Sequence, residues 1–238
     1  MFDVSIVIPA YNEKVYLEAA IPKIKEAADK FTGNYEIIIV EDNSRDGTAE
    51  LAARFAREDS RIKHIHNQEK QGRGKALTAA FRQSGGKVLV YMDVDLATDL
   101  MHLSEIVGAV NSGNDIAIGS RLMKGSHTKR GFFREFAARN YIFLAKLLFR
   151  VPVSDLQCGF KAFRRESLLS MVDRVMDNHW FWDTELLILS HLSGFKIKEV
   201  PVNWKDKKGS TVNVFSDSLD MGTKLLKLWR RTRNERKL

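Results

Sequence analysis

Two carboxylates, Asp93 and Asp95, stand two residues apart directly after the apolar run 88–92. The run is rich in β-branched and aromatic residues and predicts a strand buried on both faces. Because acids are not placed in a core, we expect the pair where the strand leaves the sheet, which is the ligand-binding edge of parallel α/β sheets. Two converging carboxylates suit a hard divalent cation, and such cations commonly bring phosphates. From these residues alone, loop or helix-cap chemistry stays an alternative.

Length and composition indicate an ordinary folded protein. With 238 residues, of which 44% are hydrophobic, the chain can form one large α/β domain or two small ones. The single cysteine, Cys158, excludes an internal disulfide and a cysteine-cluster zinc site, and the six histidines show no ligand spacing. The N-terminus runs directly into a predicted strand without the pattern of a signal peptide, and no run of 18 uncharged apolar residues occurs. We therefore expect a cytoplasmic protein.

The net charge of +8 is concentrated in two segments. Residues 121–150 carry eight Lys and Arg against one acid, and residues 224–238 carry seven against one, so the rest of the chain is net negative. Local basicity of this kind predicts surfaces that bind anions: nucleic acid, phosphate ligands or an anionic membrane face.

Strand and helix patterns alternate through the first 120 residues, which predicts a mostly parallel, doubly wound sheet flanked by helices. The predicted strands are 4–9, 36–40, 61–66, 87–93 and 115–119, and the helices between them are 15–30, 48–57, 75–83 and 101–112. Further elements are a helix at 132–149, loop and strand at 153–163, a helix at 183–193, a strand at 196–204 and a helix at 216–233. No linker separates the halves. We expect a single catalytic domain over 1–223, with halves 1–120 and 121–223, and a basic C-terminal helix or tail over 224–238.

The stretch Gly72–Lys75 is not a phosphate-binding loop of the ATPase type. That motif needs glycine at position 69 and serine or threonine at 76, where this chain has Glu69 and Ala76. No dinucleotide-binding glycine pattern follows the first strand either. Two interpretations stay open: the glycines only shape a helix entry, or a lysine or arginine of the stretch reaches a diphosphate.

Four motifs, in this order and spacing, resemble the family 2 glycosyltransferases of the GT-A fold: Val7–Glu13, Val40–Thr48, Gly72–Ala76 and Asp93–Asp95. Downstream motifs are similar to those of dolichyl-phosphate β-glucosyltransferases, relatives of the dolichol-phosphate mannose synthases: Gly119–Arg121, Asp155–Lys161, Trp182–Leu186, Val202–Trp204 and Gly209–Ser210. The resemblance covers all of the chain except about the last fifteen residues.

The resemblance implies roles for the donor-side residues. Pro9, Tyr11 and Glu13 match the motif that holds nucleobase and ribose, and Asp42 matches the acid that faces the base. The remaining donor-binding positions it assigns are Lys75, Asp93 and Asp95. Of these, Asp95 is the expected ligand of Mg²⁺ or Mn²⁺.

The resemblance also implies acceptor-side residues. Arg121 is expected near the acceptor phosphate and, with Asp93 and Asp95, at the centre of catalysis; Arg134 and Arg139 are assigned to the same phosphate. A phosphomonoester has a second pKa of about 6 and is largely dianionic at neutral pH, so attack by it needs no strong base. Arginines suit its positioning, because they bind phosphate bidentately and stay charged.

The implied activity is inverting transfer of a hexose, in first place glucose from UDP-glucose, to dolichyl or another polyprenyl phosphate. Mannose synthases commonly read D-A-D-L-Q, whereas this chain has Ala97, which puts a third protein ligand in doubt and argues against GDP-mannose. Transfer of mannose or of a UDP-linked N-acetylhexosamine stays the alternative. Two other classes are a sugar-nucleotide pyrophosphorylase of the same fold and a basic nucleic-acid-binding module. We expect no nucleic-acid partner.

Helix 132–149 allows two interpretations. An apolar stripe of Phe133, Phe136, Ala137, Tyr141, Leu144 and Leu148 is typical of a core face. A second apolar set, with arginines between, is typical of helices that lie in a membrane interface. A lipid acceptor favours peripheral association with the cytoplasmic face of a membrane, and leaves open a membrane-anchoring protein partner.

Overall fold

The computed structural model describes residues 2–129, 132–205 and 214–235, with the side chains of residues 129, 132–134, 214–218 and 235 outside that description. Nine strands are described: β1 Phe2–Ala10, β2 Tyr35–Glu41, β3 Ile62–His66, β4 Gly86–Met92, β5 Ile116–Ser120, β6 His127–Lys129, β7 Phe160–Arg164, β8 Ile197–Pro201 and β9 Asn203–Lys205. The α-helices are α1 Lys14–Asp29, α2 Thr48–Glu58, α3 Arg73–Gln83, α4 Leu103–Asn111, α5 Phe132–Phe149, α6 Arg165–Val172, α7 Trp182–Leu192 and α8 Val214–Glu235, and a 3-10 turn spans Leu100–His102.

A seven-stranded sheet with the order β3-β2-β1-β4-β7-β5-β8 forms the centre of the protein. Six strands are parallel, and β7 runs antiparallel between β4 and β5, with Tyr91 opposite Lys161 and Lys161 opposite Ile118. The predicted mostly parallel, doubly wound sheet is therefore confirmed. Since β1, β2 and β4 are parallel neighbours, their carboxyl ends share one edge, and the acidic motifs that follow these strands meet there.

Helices cover both faces of the sheet. On one face α1, α2 and α4 pack against residues such as Ile6, Ile8 and Ile39. On the other, α3, α5, α6, α7 and α8 pack against Val7, Ile38 and neighbouring core residues. Because one sheet with two helical layers accounts for both cores, the described chain is a single domain. The expected boundary between residues 223 and 224 lies inside α8, which buries Leu225 and Leu228.

Helix α5 buries a stripe that only partly matches the predicted one, whose members Tyr141, Leu144 and Leu148 are partly buried against the core. Its buried positions include Ala138, Ile142, Ala145 and Phe149, whereas Phe136, which the core stripe included, is exposed. The helix packs on α8 and on the core, so its buried face is fixed by the position of α8, which sequence periodicity does not contain.

The predicted strand over residues 196–204 is two strands. β8 ends at Pro201, and β9 leaves the main sheet to pair with β6 in a separate two-stranded ribbon. Proline cannot donate a backbone hydrogen bond, so it marks the point where a ladder ends.

Candidate active site

The acidic pair lies in the turn that follows β4. The backbone N–H of Asp93 donates to the Gly159 carbonyl at 3.0 Å, and the Asp95 carboxylate accepts from the Ala97 N–H at 2.9 Å. Leu96 has a positive φ of 51°, which lets the chain turn sharply after the pair. The predicted position of the pair, at the end of the strand, is confirmed.

Gly159 holds Asp93 at close range. A Cβ at this position would overlap the Asp93 carboxylate, and so only glycine lets this carboxylate lie directly against the backbone of residue 159. The Asp155–Lys161 stretch thereby sets the position of an acidic side chain that is more than sixty residues away in the chain.

Replacing Gly159 by Ala is expected to lower turnover about a hundredfold, because a displacement of a reacting-site group by about 1 Å costs this much. Steady-state kinetics with saturating acceptor will measure the effect. Gly108→Ala is the matched control: Gly108 lies in α4 with open space around its Cβ position, so its activity is expected to equal wild type. Equal activity of both variants would show that the Asp93 position is not set by Gly159.

Arg73, the first residue of α3, contacts Asp93. Its guanidinium donates to the Asp93 carboxylate and lies 3.4 Å from Asp183 Oδ2. Its Cζ also lies 5.2 Å from the centre of the Tyr91 ring and 5.0 Å from that of Trp180. Burial of Asp93 raises the pKa of its carboxyl group, with Asp95 and Asp183 adding to the effect and Arg73 opposing it.

Asp42 fixes the loop that leads into α3. Its two carboxylate oxygens accept from Asn67 Nδ2 at 3.0 Å and from the backbone N–H groups of Gln71 and Gly72, each at 2.9 Å. The side chain of Lys75 is exposed on α3. Of the two basic residues in the Gly72–Lys75 stretch, Arg73 contacts the acidic pair, and the donor-binding roles of Asp42 and Lys75 stay predictions.

Arg73 is linked through Asp183 to a buried ion network. The Lys161 side chain has no exposure to solvent, and its Nζ lies 2.7 Å from Asp183 Oδ1 and 3.2 Å from the Tyr91 hydroxyl. Tyr91 donates to the same Asp183 oxygen. Two cations, Arg73 and Lys161, thus oppose two carboxylates, Asp93 and Asp183, and the cluster is close to neutral.

Sequence reasoning missed Arg73, Tyr91 and Lys161 as members of this cluster. Lys161 belongs to the Asp155–Lys161 motif, and a lysine inside a predicted buried strand is a pattern that could have indicated it. Tyr91, in contrast, looks like an ordinary core residue.

The loops after β1 and β2 are joined by hydrogen bonds. Asn12, with a positive φ of 54°, donates its N–H to Ser44 Oγ at 2.9 Å and accepts from the Arg45 N–H at 2.8 Å. The Glu13 N–H donates to Thr48 Oγ1 at 2.9 Å. These contacts bring two of the predicted donor-binding motifs into one structural unit.

Pro9 and Tyr11 lie at the carboxyl end of β1. Pro9 is partly buried within the strand, and Tyr11 is exposed beyond it. The Lys70 ammonium lies 3.6 Å from the centre of the Tyr11 ring, which is a cation–π contact. The structure therefore places both residues at the shared edge, and their role toward a nucleoside stays a prediction.

Glu13 belongs to the same acidic surface as Asp95. Loss of hydration raises the pKa of the Glu13 carboxyl group to about 7, and repulsion from Asp95, Asp46 and Asp93 adds to the effect. Carboxylates that raise the pKa of a neighbour in this way form a region of negative potential that favours a bound cation.

This shift predicts a pH-dependent stability. The pKa of Glu13 rises from 4.5 to about 7 on folding, so the folded protein binds the proton more tightly, and stability falls as pH rises between these values. In EDTA, we expect Glu13→Gln to gain about 1 kcal/mol relative to wild type between pH 5 and pH 8, after allowing for solvent screening. Urea unfolding at both pH values will test this. Glu58→Gln, an exposed control, should show no such change. If the difference in unfolding free energy between Glu13→Gln and wild type were the same at both pH values, the raised pKa would be contradicted.

Arg121 is held by a buried carboxylate. Its Nε and one terminal nitrogen donate to the two Asp155 oxygens at 2.6 and 3.0 Å, and 9% of its side chain is exposed. Burial opposes the charge on Arg121, but Asp155 outweighs it, and Cys158 and Asp93 also raise the pKa of the guanidinium. Arg121 therefore stays charged near the acidic pair, and this salt bridge uses two of its five N–H donors.

The two other arginines assigned to an acceptor phosphate are on α5. Arg139 is exposed and donates to Glu135 on its own helix at 2.7 and 2.9 Å. The side chain of Arg134 lies outside the described residues. Arg121 thus interacts electrostatically with Asp93, whereas the described contacts of Arg139 are with Glu135.

The acidic pair fits a divalent ion that shares its ligands with a substrate. Asp93 and Asp95 supply carboxylate oxygens, whereas the buried Ala97 supplies no side-chain ligand. No third histidine, cysteine, aspartate or glutamate ligand converges on the pair within the described ranges. Mg²⁺ and Mn²⁺ accept such sites, because one or two carboxylates are completed by substrate phosphates and water.

Exposed apolar side chains cluster on the helices of the acceptor half. Phe136, Phe143 and Leu147 on α5 and Leu219 and Leu226 on α8 are all exposed, and these two helices pack together. In the part of the chain that the structure covers, no helix has the length and apolar character needed to cross a membrane.

Comparison with known proteins gives a family match over most of the chain. The model of glycosyl transferase family 2 matches residues 5–171. Glycosyltransferase AglD of Haloferax volcanii is 44% identical over 230 residues, which are 95% of this chain and 37% of AglD. A dolichyl-phosphate beta-glucosyltransferase of Dictyostelium discoideum is 30% identical over 242 residues, covering 94% of this chain and 73% of that enzyme. The chain thus spans little more than a third of AglD.

Among solved structures, a similar fold occurs in glucosyl-3-phosphoglycerate synthase of Mycobacterium tuberculosis, crystallised with Mn²⁺, uridine-diphosphate and phosphoglyceric acid. The TM-score is 0.72, with coverage of 96% of this chain and 78% of that chain. At 20% identity, the similarity concerns the fold.

Proposed function

The chain belongs to glycosyl transferase family 2, and we propose that it transfers glucose from UDP-glucose to dolichyl or another polyprenyl phosphate with inversion at the anomeric carbon. The observation that carries this proposal is the acidic pair, Asp93 and Asp95, at the carboxyl end of β4, where Asp93 contacts Arg73 and interacts electrostatically with the buried Arg121. The names of the relatives support the acceptor: several are dolichyl-phosphate beta-glucosyltransferases with 27–33% identity.

In this proposal the acidic pair binds the donor diphosphate through a divalent ion. Asp95 is the main protein ligand and Asp93 lies beside it, fixed by Gly159 and Arg73. A bound Mg²⁺ or Mn²⁺ would stabilise the charge of the leaving diphosphate as a Lewis acid. Arg73 would add positive charge on the same side, while Pro9, Tyr11, Glu13 and Asp42 would hold the nucleoside.

Arg121 would hold the acceptor phosphate against the anomeric carbon. Two anionic phosphates repel each other, and an arginine fixed by Asp155 can stabilise both at once. The acceptor oxygen forms the new bond to the anomeric carbon as the bond to the diphosphate breaks. Because the phosphate is already ionised, no proton has to be removed. Asp183, which is saturated by Lys161, Tyr91 and Arg73, is not required as a base.

Access to a lipid acceptor requires a membrane surface. The exposed apolar side chains of α5 and α8 lie among basic residues, including Arg139 and Lys146 on α5 and Lys227 and Arg230 on α8. Apolar groups flanked by cations bind anionic membrane interfaces. We therefore propose peripheral membrane association through these two helices.

A donor panel tests the proposal directly. The 238-residue chain is incubated with dolichyl phosphate, Mg²⁺ or Mn²⁺, and in turn UDP-glucose, GDP-mannose or UDP-N-acetylglucosamine, and the lipid product is identified by mass spectrometry. We expect a hexosyl-phosphate lipid from UDP-glucose. A product from GDP-mannose or UDP-N-acetylglucosamine alone would refute the glucose assignment. No lipid product from any donor, or pyrophosphate release from UTP and glucose phosphate, would refute the transferase proposal.

A further inference from the structure

A second group of metal-binding side chains lies away from the acidic pair, on β2 and β3. Glu41 ends β2, and His64 and His66 belong to the edge strand β3. In the parallel register Glu41 pairs with His66 and Ile39 pairs with His64. Side chains two residues apart project from the same side of a strand, so the two imidazoles and the carboxylate share one face of the sheet.

The three side chains converge. Each offers one ligand atom, and these atoms lie within 4.8 Å of one another. His66 Nδ1 lies 2.6 Å from Glu41 Oε2, while Glu41 is fully buried and 46% of the His66 side chain is exposed. The group is therefore buried on the side of Glu41 and accessible from solvent on the side of His66.

His64 supplies the second indication of a ligand. Its Nε2 atom is buried and has no hydrogen-bond partner among the residues that the structure describes. Leaving a buried imidazole nitrogen without a partner is unfavourable, and such atoms indicate a missing ligand or ion. A buried nitrogen without a described partner thus belongs to a histidine whose ring converges with the buried Glu41 carboxylate.

We propose that Glu41, His64 and His66 form a Zn²⁺ site distinct from the acidic pair. Two imidazoles and one carboxylate are a common zinc ligand set, which leaves a fourth, tetrahedral position for water. Ligand atoms around tetrahedral zinc are about 3.3 Å apart at metal–ligand distances of about 2.0–2.1 Å. The three ligand atoms, which lie within 4.8 Å of one another, would shift to this spacing when the metal binds.

The site would be separate from the acidic pair and different in character. Three strand spacings separate β3 from β4 in the sheet, which places the histidines about 14 Å from the strand that ends at the pair. The pair has oxygen ligands alone and suits Mg²⁺ or Mn²⁺, whereas imidazole ligands favour zinc, nickel or copper.

A metal at this position would stabilise the loops after β1 and β2, which contain the predicted donor-binding residues. Glu41 Oε1 accepts from the backbone N–H of Ser44, and Ser44 in turn accepts from the Asn12 N–H. A metal bound to Glu41 would therefore link the edge strand β3 to the joined loops after β1 and β2. The proposed zinc site lies next to these loops, and the proposal does not depend on the proposed transferase function.

Metal binding by the tag-free chain tests this site without any activity measurement. Calorimetric titration with Zn²⁺ and Co²⁺ absorption spectra are recorded for wild type, His64→Ala, His66→Ala and Glu41→Gln. We expect one Zn²⁺ per chain that survives Asp95→Ala, a Co²⁺ spectrum of tetrahedral intensity, and at least a hundredfold weaker binding in each site variant. Zinc should also raise the melting temperature of wild type by a few degrees and leave that of His66→Ala unchanged.

Two controls make the result decisive. His127→Ala removes an exposed histidine of β6, which belongs to a separate ribbon, and should bind Zn²⁺ like wild type. Glu41→Gln keeps an acceptor for the Ser44 N–H, and circular dichroism in EDTA will verify that it folds. Zinc binding that is absent from wild type, that persists in His64→Ala and His66→Ala, or that is lost in Asp95→Ala would overturn the proposal.

Discussion

Replacing Asp95 by Asn is expected to lower turnover about a thousandfold while leaving the fold intact. The asparagine side chain keeps an oxygen that can accept from the Ala97 N–H, so the turn after β4 is retained. The substitution removes the charge that would hold a divalent ion on the leaving diphosphate. Loss of such electrostatic stabilisation costs several kcal/mol in the barrier, and each 1.36 kcal/mol is about a factor of ten in rate.

Single-turnover kinetics at saturating donor, and at a fixed Mn²⁺ concentration that saturates the wild type, will measure this effect. Raising the Mn²⁺ concentration should recover part of the loss if the metal is bound more weakly. Asp173→Asn is the matched control, because Asp173 is an exposed aspartate that pairs with Arg82 on the surface. It should keep wild-type turnover. An Asp95→Asn variant with unchanged turnover would remove the basis for metal binding at the pair.

Replacing Asp183 by Asn is expected to destabilise the protein by about 3–5 kcal/mol. Asp183 is almost fully buried and neutralises Lys161, whose Nζ lies 2.7 Å away and whose side chain has no exposure to solvent. Removing one partner of a buried ion pair leaves the other charge in a medium of low polarity, which is the costly outcome. Urea unfolding followed by far-UV circular dichroism will give the free energy of unfolding.

A second substitution shows whether the unpaired lysine is the cause. The variant with both Asp183→Asn and Lys161→Met has no buried unpaired cation, and we expect it to recover more than half of the lost free energy. Arg82→Met, which breaks an exposed ion pair, should cost less than about 1 kcal/mol. If the double variant were no more stable than Asp183→Asn, the loss would not come from the charge on Lys161.

Much of the fold was predictable because its determinants are local. Buried strands such as 88–92 are continuous apolar runs, and helices between them have apolar periodicity, so the alternation of elements follows from short segments. The acidic pair was placed correctly at a strand end for the same reason. The motif-based resemblance added the family, which the match over residues 5–171 confirms.

Pairing between distant residues was not predictable. Arg73 meets Asp183 across 110 residues, and Tyr91 meets it across 92. These contacts exist because α7 packs against α3 and β4, where Trp182 contacts Phe81 and Tyr91, and no local pattern encodes this packing. The convergence of two histidines was not predictable for a similar reason: Glu41 meets His64 and His66 only through the register of β2 with β3.

The sequence by itself determined the position of Asp93 and Asp95, which follow a strand too apolar to contain charged side chains. Only the tertiary structure decided which cation pairs with each acid of the site: Arg73 with Asp93, Lys161 with Asp183 and Arg121 with Asp155. The physical reason is one of range. Burial of an apolar run depends on its own composition, whereas a buried charge requires a partner, and strand order determines which side chain is close enough to serve.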